Sequence, residues 1–160
     1  MNVLAFFHAN GRGDELPETL EFVYKTLDNR AYENGTVYYV GGDPFFFFLS
    51  RLLRLSKSPS VQQRFGPLFA ERMRERFGLP GDALALAMRV LAASSVGICD
   101  VQDYQRLLSL QEEDGSWPLG WMYIYGLSGI RIGNKALTTA MALAAIQRYG
   151  ACEARACPEE

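Results

Sequence analysis

Apolar and polar positions in this chain follow two plans that take turns along the sequence. In LPETLEFVYKTLDNR, Leu16, Leu20, Val23 and Leu27 fall on one side of a helix, while Glu18, Glu21, Lys25 and Asp28 take the other. That is the signature of a helix half in solvent. SVQQRFGPLFAERMRERFG from Ser60 and DVQDYQRLLSLQEE from Asp100 read the same way. Between them come GGDPFFFFLSRLL from Gly41, PGDALALAMRVLAA from Pro80 and IGNKALTTAMALAAI from Ile132, with no charge over 44–50, 83–88 and 136–147. Helices apolar all round are buried on both sides. The pattern therefore predicts amphipathic outer helices alternating with apolar inner ones, and NVLAFFHANG as a further inner helix at the start.

Each apolar helix opens on Gly followed by Asp or Asn, at Asp43, Asp82 and Asn134, spaced by 39 and then 52 residues. The repeated opening is an N-cap signature, and the spacing suits helical hairpins with one insertion. The breakers agree: Gly11 and Gly13 precede Pro17, Gly66-Pro67 is expected to split the second outer helix, and Gly97 precedes the capping residue Asp100. TVYYV at 36–40 is β-prone but reads as a connector. The expected fold is all-α, a partial α/α toroid of about six main helices, with one domain over 1–150 and a polar tail over 151–160.

Sliding the first hairpin by eighty residues onto the third puts Tyr24 on Tyr104, Leu27 on Leu107, Gly35 on Gly115 and Val37 on Trp117. YENGTVYY and EEDGSWPL are then the same joint, where an outer helix ends, Gly supplies the positive φ, and the residue two later packs back. Gln111, Gly115 and Trp117 form Q-x3-G-x-W in QEEDGSW. This resembles the QW motif of the terpenoid cyclase and protein prenyltransferase α/α-toroid superfamily, which includes the squalene cyclases. There the glutamine bonds backbone at a helix end and stacks on the tryptophan. The pattern extends over 14–149, and the half from Asp100 to Tyr149 reads as fungal-type. Arg106 departs from it, since the family places an aromatic before the leucine.

The resemblance implies an isoprenoid ligand and carbocation cyclisation, yet the family's catalytic signatures are missing. There is no D-x-D-D run to supply a protonated acid and no D-D-x-x-D to hold magnesium. Of the prenyltransferase zinc set of Asp, Cys and His, the chain has one histidine, His8, far from Cys99. No metal site is assigned. No cofactor is identified, and magnesium is compatible only with a diphosphate substrate.

Candidate chemistry lies at the helix openings. Asp43 and Asp82 sit where an acid would face a toroid cavity, although capping explains them together with Asn134. Tyr39, Phe46, Trp121, Tyr123 and Tyr125 are candidates to line an isoprenoid cavity through cation–π attraction. Consecutive Phe residues at 45–48 point around the whole helix, so at most two face one cavity. Trp121, Tyr123 and Tyr125 belong to the insertion GWMYIYGLSGIRI, and such loops on repeat scaffolds often carry binding. Arg131 and Lys135 flank the last inner helix and would welcome a diphosphate or carboxylate. Glu112, Glu113 and Asp114 read as a solvated helix end, and His8 as a core or helix-end histidine.

Composition narrows the partners. A net charge of -2 with interspersed signs offers no basic face for nucleic acid, and no apolar run approaches a membrane span. Cys99, Cys152 and Cys157 are odd in number, with two in the polar tail. They read as a poor disulfide framework suited to a reducing compartment, hence the cytoplasm. The chain supplies about half the helices of a closed toroid, so its inner face is expected to meet a second copy, another toroid half, or the rest of a longer protein. Whether the chain is catalytic stays open. The alternative is a noncatalytic helical-repeat module binding a protein partner, and a carbohydrate enzyme ranks last for want of a carboxylate pair.

Overall fold

The computed structural model describes residues 1–156, and its helices fall where the two plans place them. The helices are α1 (Asn2–Ala9), α2 (Pro17–Asp28), α3 (Asp43–Leu55), α4 (Pro59–Arg74), α5 (Ala83–Ser95), α6 (Val101–Ser109) and α7 (Lys135–Ala156). The fold is all-α, with one small two-stranded sheet. Neighbour relations separate the layers: α1 packs on α3, α3 on α5 and α5 on α7, while α2 packs on α4 across the outside. The mainly apolar α5 is the centre, with α3 and α7 on its flanks and α4 and α6 behind it. Burial follows, since Leu86, Ala87, Val90, Ala92 and Ala93 are all fully enclosed.

Two apolar clusters make up the core. One gathers Leu27, Phe46, Leu49, Phe65 and Phe69 from α2, α3 and α4. The other gathers Leu86, Val90, Leu107, Trp117, Ala142 and Tyr149 around α5, α6 and α7. The outer helices α2 and α4 are laced by Arg64, which donates to Glu21 at 2.6 Å and lies 3.9 Å over the Tyr24 ring.

Local expectations meet tertiary context in several places. Gly66-Pro67 does not split the second outer helix: α4 runs through Pro67. A proline inside a helix costs about 3 kcal/mol, and here Phe65 and Phe69, both fully buried, hold the two halves in register. The insertion after Trp117 forms an antiparallel hairpin of β1 (Trp121–Ile124) and β2 (Arg131–Gly133), where no strand was expected. TVYYV is a connector, as its position between α2 and α3 suggested.

The cysteine reading is corrected outright. Cys99 and Cys152 form a disulfide with Cα atoms 5.9 Å apart, because α7 continues through 151–156, where a polar tail was expected, and carries Cys152 into the core at 4% exposure. Cysteine usage therefore gives no argument for a reducing compartment. Cys157 lies outside the described residues. No described helix is long and apolar enough to cross a membrane.

Candidate functional site

Asp82, the predicted cap of α5, shows how the site is assembled. Its Oδ1 accepts the Ala85 amide at 2.9 Å, closing the helix end, and its Oδ2 accepts the Trp121 amide at 2.9 Å. One carboxylate thus caps a helix and ties the hairpin to it. The hairpin is pinned from the other side by α7, where Thr138 Oγ1 accepts the Gly120 amide at 3.0 Å and Thr139 Oγ1 accepts the Trp117 amide at 3.1 Å. Gly120 is required there, since a Cβ would stand 2.3 Å from that of Leu84. At its far edge Ile124 donates to the Tyr38 carbonyl at 2.7 Å, so the hairpin bridges from α5 and α7 to the connector before α3.

Beneath this bridge lies a cleft of about 430 Å³, lined by Asp43, Asp82, Trp121 and Arg131 among mainly apolar neighbours such as Pro44, Leu84 and Met88. Four candidates separated by up to 88 residues in sequence thus meet at one cavity. Asn134 caps α7 through Leu137 at 2.9 Å, as expected, but Asp43 departs from the repeat. It is the first residue of α3, and its carboxylate accepts Arg76 Nη2 at 2.8 Å, with Arg89 Nε at 3.7 Å. Its role is an ion pair, not a cap.

That pair opens a buried charged network that the sequence reading passed over. Arg89 is fully enclosed, donates to the Arg76 carbonyl at 2.8 Å and meets Asp103 at 3.4 Å. Asp103 in turn accepts the Gly78 amide at 3.3 Å, and its own amide donates to Asp100 at 3.1 Å. Burial, reinforced by the Asp103 carboxylate, pushes the Asp100 carboxyl up to about 7. Near neutral pH Asp100 therefore carries a proton part of the time, which eases the burial of a third acidic side chain beside Asp43, Asp103 and the guanidiniums of Arg76 and Arg89. The missed signal was Arg89 itself, a single charge interrupting ALALAMRVLAA.

The remaining candidates scatter. Phe46 is fully buried between Tyr32 and Phe69 and lines neither the cleft nor the chamber beside Tyr39. Tyr39 lines a separate small chamber with Phe45 and Phe48, so two of the four consecutive phenylalanines face one cavity. Tyr123 and Tyr125 lie on a shallow groove with Tyr38 on the hairpin's outer side. Lys135 does not face an anion site: its ammonium is bound by Glu112, with Asp114 at 3.6 Å, and Glu112 above all raises its pKa. Arg131, by contrast, makes no salt bridge among the described residues. His8 is a core residue whose Nδ1 lies 3.1 Å from Ser56 Oγ. Among the described residues no group of three or more His, Cys, Asp or Glu side chains is placed to hold a metal.

Trp117 sits at the end of α6. The ring is fully buried and its indole N–H donates to the Leu107 carbonyl at 2.7 Å, the last turn of the helix it has left. Gln111 Nε2 donates to the Gly115 carbonyl at 3.0 Å.

Comparison with known proteins gives one informative similarity. The chain is 40% identical over 146 residues to drimenol cyclase drtB of Aspergillus calidoustus, which covers 91% of this chain and 28% of that protein. The chain thus spans little more than a quarter of the length of the curated relative it matches. No protein-family model matches the chain, and no solved structure does. By that similarity the chain has a terpene-cyclase-like relationship, to part of such an enzyme.

Proposed function

We propose that this chain is a terpene-cyclase-like α/α unit, a section of a toroid, and that the cleft under the hairpin binds an isoprenoid. The observation that carries this reading is that Arg131, a cation without an ion-pair partner among the described residues, lines the same mainly apolar cleft as Trp121. A chain with an anionic head and a hydrocarbon body finds both halves of its chemistry there. The guanidinium takes phosphate oxygens in charge-assisted hydrogen bonds, and the indole face attracts positive charge developing on the hydrocarbon. The similarity to a drimenol cyclase supports the same class of ligand.

Asp43 and Asp82 shape this cleft but do not start a reaction in it. An initiating acid must hold a proton and present it to the substrate, whereas Asp43 faces two guanidiniums and Asp82 accepts two backbone amides. Their work in this reading is positional, with Asp82 fixing the Trp121 backbone and Asp43 holding Arg76 at the cleft. Among the described residues no group of three or more His, Cys, Asp or Glu side chains is placed to hold magnesium. Val3 and Phe6 on α1 and Leu143 on α7 lie in solvent at the two ends of the inner layer. Further helices, from a second copy or the rest of a longer protein, are the partners they suit.

The test is calorimetric titration of the purified chain with farnesyl diphosphate and with an n-alkyl phosphate. The isoprenoid is expected to bind more tightly, Arg131→Ala to weaken it about tenfold, the value of one charge-assisted contact, and Trp121→Ala to remove the preference for the isoprenoid. Equal binding of the two phosphates sinks the proposal.

A further inference from the structure

The joint between α2 and α3 is hollow. A second cavity, of about 200 Å³, lies there and adjoins the cleft at Gly41 and Pro44. Its lining is aromatic: Tyr32 stacks on Phe45 with centroids 5.3 Å apart, and Tyr39 meets Phe48 edge-on at 6.0 Å. None of its lining residues is Asp, Glu, Lys, Arg or His.

The loop that covers it satisfies its own polar groups. Thr36 donates its amide to the Tyr39 carbonyl at 2.9 Å, and its hydroxyl accepts the amides of Tyr38 and Tyr39 at 3.1 and 3.0 Å. Gly35 makes this tight return feasible, since a Cβ there would stand 2.2 Å from the Tyr39 oxygen. With these amides satisfied by Thr36 and Tyr39, the aromatic residues Tyr32, Tyr39, Phe45 and Phe48 line the cavity. A cationic guest would lack a carboxylate, and a polar one would find at most a few hydroxyls and the Met1 amino group among the lining residues to replace its hydration. A neutral hydrocarbon suffers neither cost. An apolar cavity of roughly 150 Å³ holds benzene, so this one suits a branched group of roughly eight to ten carbons.

The hollow follows from two side chains. In the matching joint after α6, Gln111 and Trp117 occupy positions that are Ala31 and Val37 here. Val37 is 50% exposed and leaves the cavity unfilled, and Ala31, an exposed residue, is among the lining residues with only a methyl for a side chain. We propose that this chamber binds the distal hydrocarbon end of an isoprenoid whose polar end lies at Arg131, and that Ala31 sets the chain length accepted. The polar end of this placement rests on the cleft reading above; the chamber itself does not.

Geraniol, which has no phosphate, probes the chamber alone, and farnesyl diphosphate probes both ends. Each is titrated calorimetrically into wild type, Ala31→Leu, Ala31→Trp and Arg131→Ala, with circular dichroism to verify folding. Geraniol is expected to bind wild type and Arg131→Ala alike, about tenfold more weakly to Ala31→Leu and not at all to Ala31→Trp, because each displaced methylene forfeits about 0.8 kcal/mol. Farnesyl diphosphate should weaken in parallel across the Ala31 variants. If Ala31→Trp fails to fold, Ala31→Leu decides. Geraniol bound but farnesyl diphosphate not bound by wild type overturns the cleft reading and keeps the chamber as a hydrocarbon site. Farnesyl diphosphate bound equally by wild type and the Ala31 variants overturns the chamber and leaves the cleft. Wild type that does not bind geraniol also overturns it.

Discussion

After α2 the chain turns at Gly35, φ +68°, and after α6 at Gly115, φ +82°; each glycine amide donates to the carbonyl three residues back, Tyr32 and Glu112. The backbone of the two joints is shared, but their filling is not. After α6, Gln111 ties the turn, Trp117 is sealed in the core with its N–H on Leu107, and Lys135 reaches across from α7 to Glu112. After α2, Ala31 and Val37 stand in the two key places, Tyr32 turns inward onto Phe45, and a cavity remains. Glycine sets the path of the chain, and the side chains on either side decide whether the joint is a lock or a chamber. The disulfide sharpens the contrast, since Cys99 and Cys152 staple α7 to the segment before α6.

Truncating the lock should produce the largest effect. Trp117→Ala is expected to cost about 3–5 kcal/mol, the range for emptying a buried aromatic site, read by urea unfolding. If the joint tolerates it with less than about 1 kcal/mol, the lock does not depend on the ring. Reduction with dithiothreitol comes next, at about 2–4 kcal/mol. Hydrogen exchange should then quicken in α6 and α7 before α2 and α3; uniform quickening would remove the asymmetry between the two ends.

The third effect depends on pH and again belongs to the α6 end. Asp100 is held well above its ordinary value by burial, so between that value and about 7 the folded chain binds a proton that the unfolded chain lacks. Its stabilising contribution is therefore complete below the unfolded value and lost as pH rises through about 7. Urea midpoints measured across that window should fall for wild type and flatten for Asp100→Asn; parallel curves would exclude Asp100 as the titrating group. Smallest of all is Val37→Ala in the open joint, expected within about 0.5 kcal/mol because Val37 packs on little. A loss approaching that of Trp117→Ala would mean the two joints are filled alike.

The helical plan was legible because periodicity reports burial directly. Asp82, Asn134 and Asp100 cap as read, since a cap is a local contact within three or four residues. Asp43 looks identical in sequence and is not a cap, because the deciding partners, Arg76 and Arg89, arrive from other elements. Lys135 stands at a helix opening in sequence and as a candidate for an anion, yet its partner Glu112 lies 23 residues away and meets it only once the joint closes. The hairpin escaped because WMYI and RIG are too short to show a period, and their register is fixed by Asp82, Thr138 and Tyr38.

By itself the sequence determined which helices form, which lie inside, where glycine turns the chain, and that Trp117 is a wedge. These depend on residues close in the chain and on the apolar face each helix must bury. Only the tertiary structure decided that Asp43, Asp82, Trp121 and Arg131 share one cleft, that Cys99 meets Cys152, and that the first joint is hollow. Cavities and long-range pairs are properties of how faces meet, and a one-dimensional pattern records which faces exist but not what is left between them.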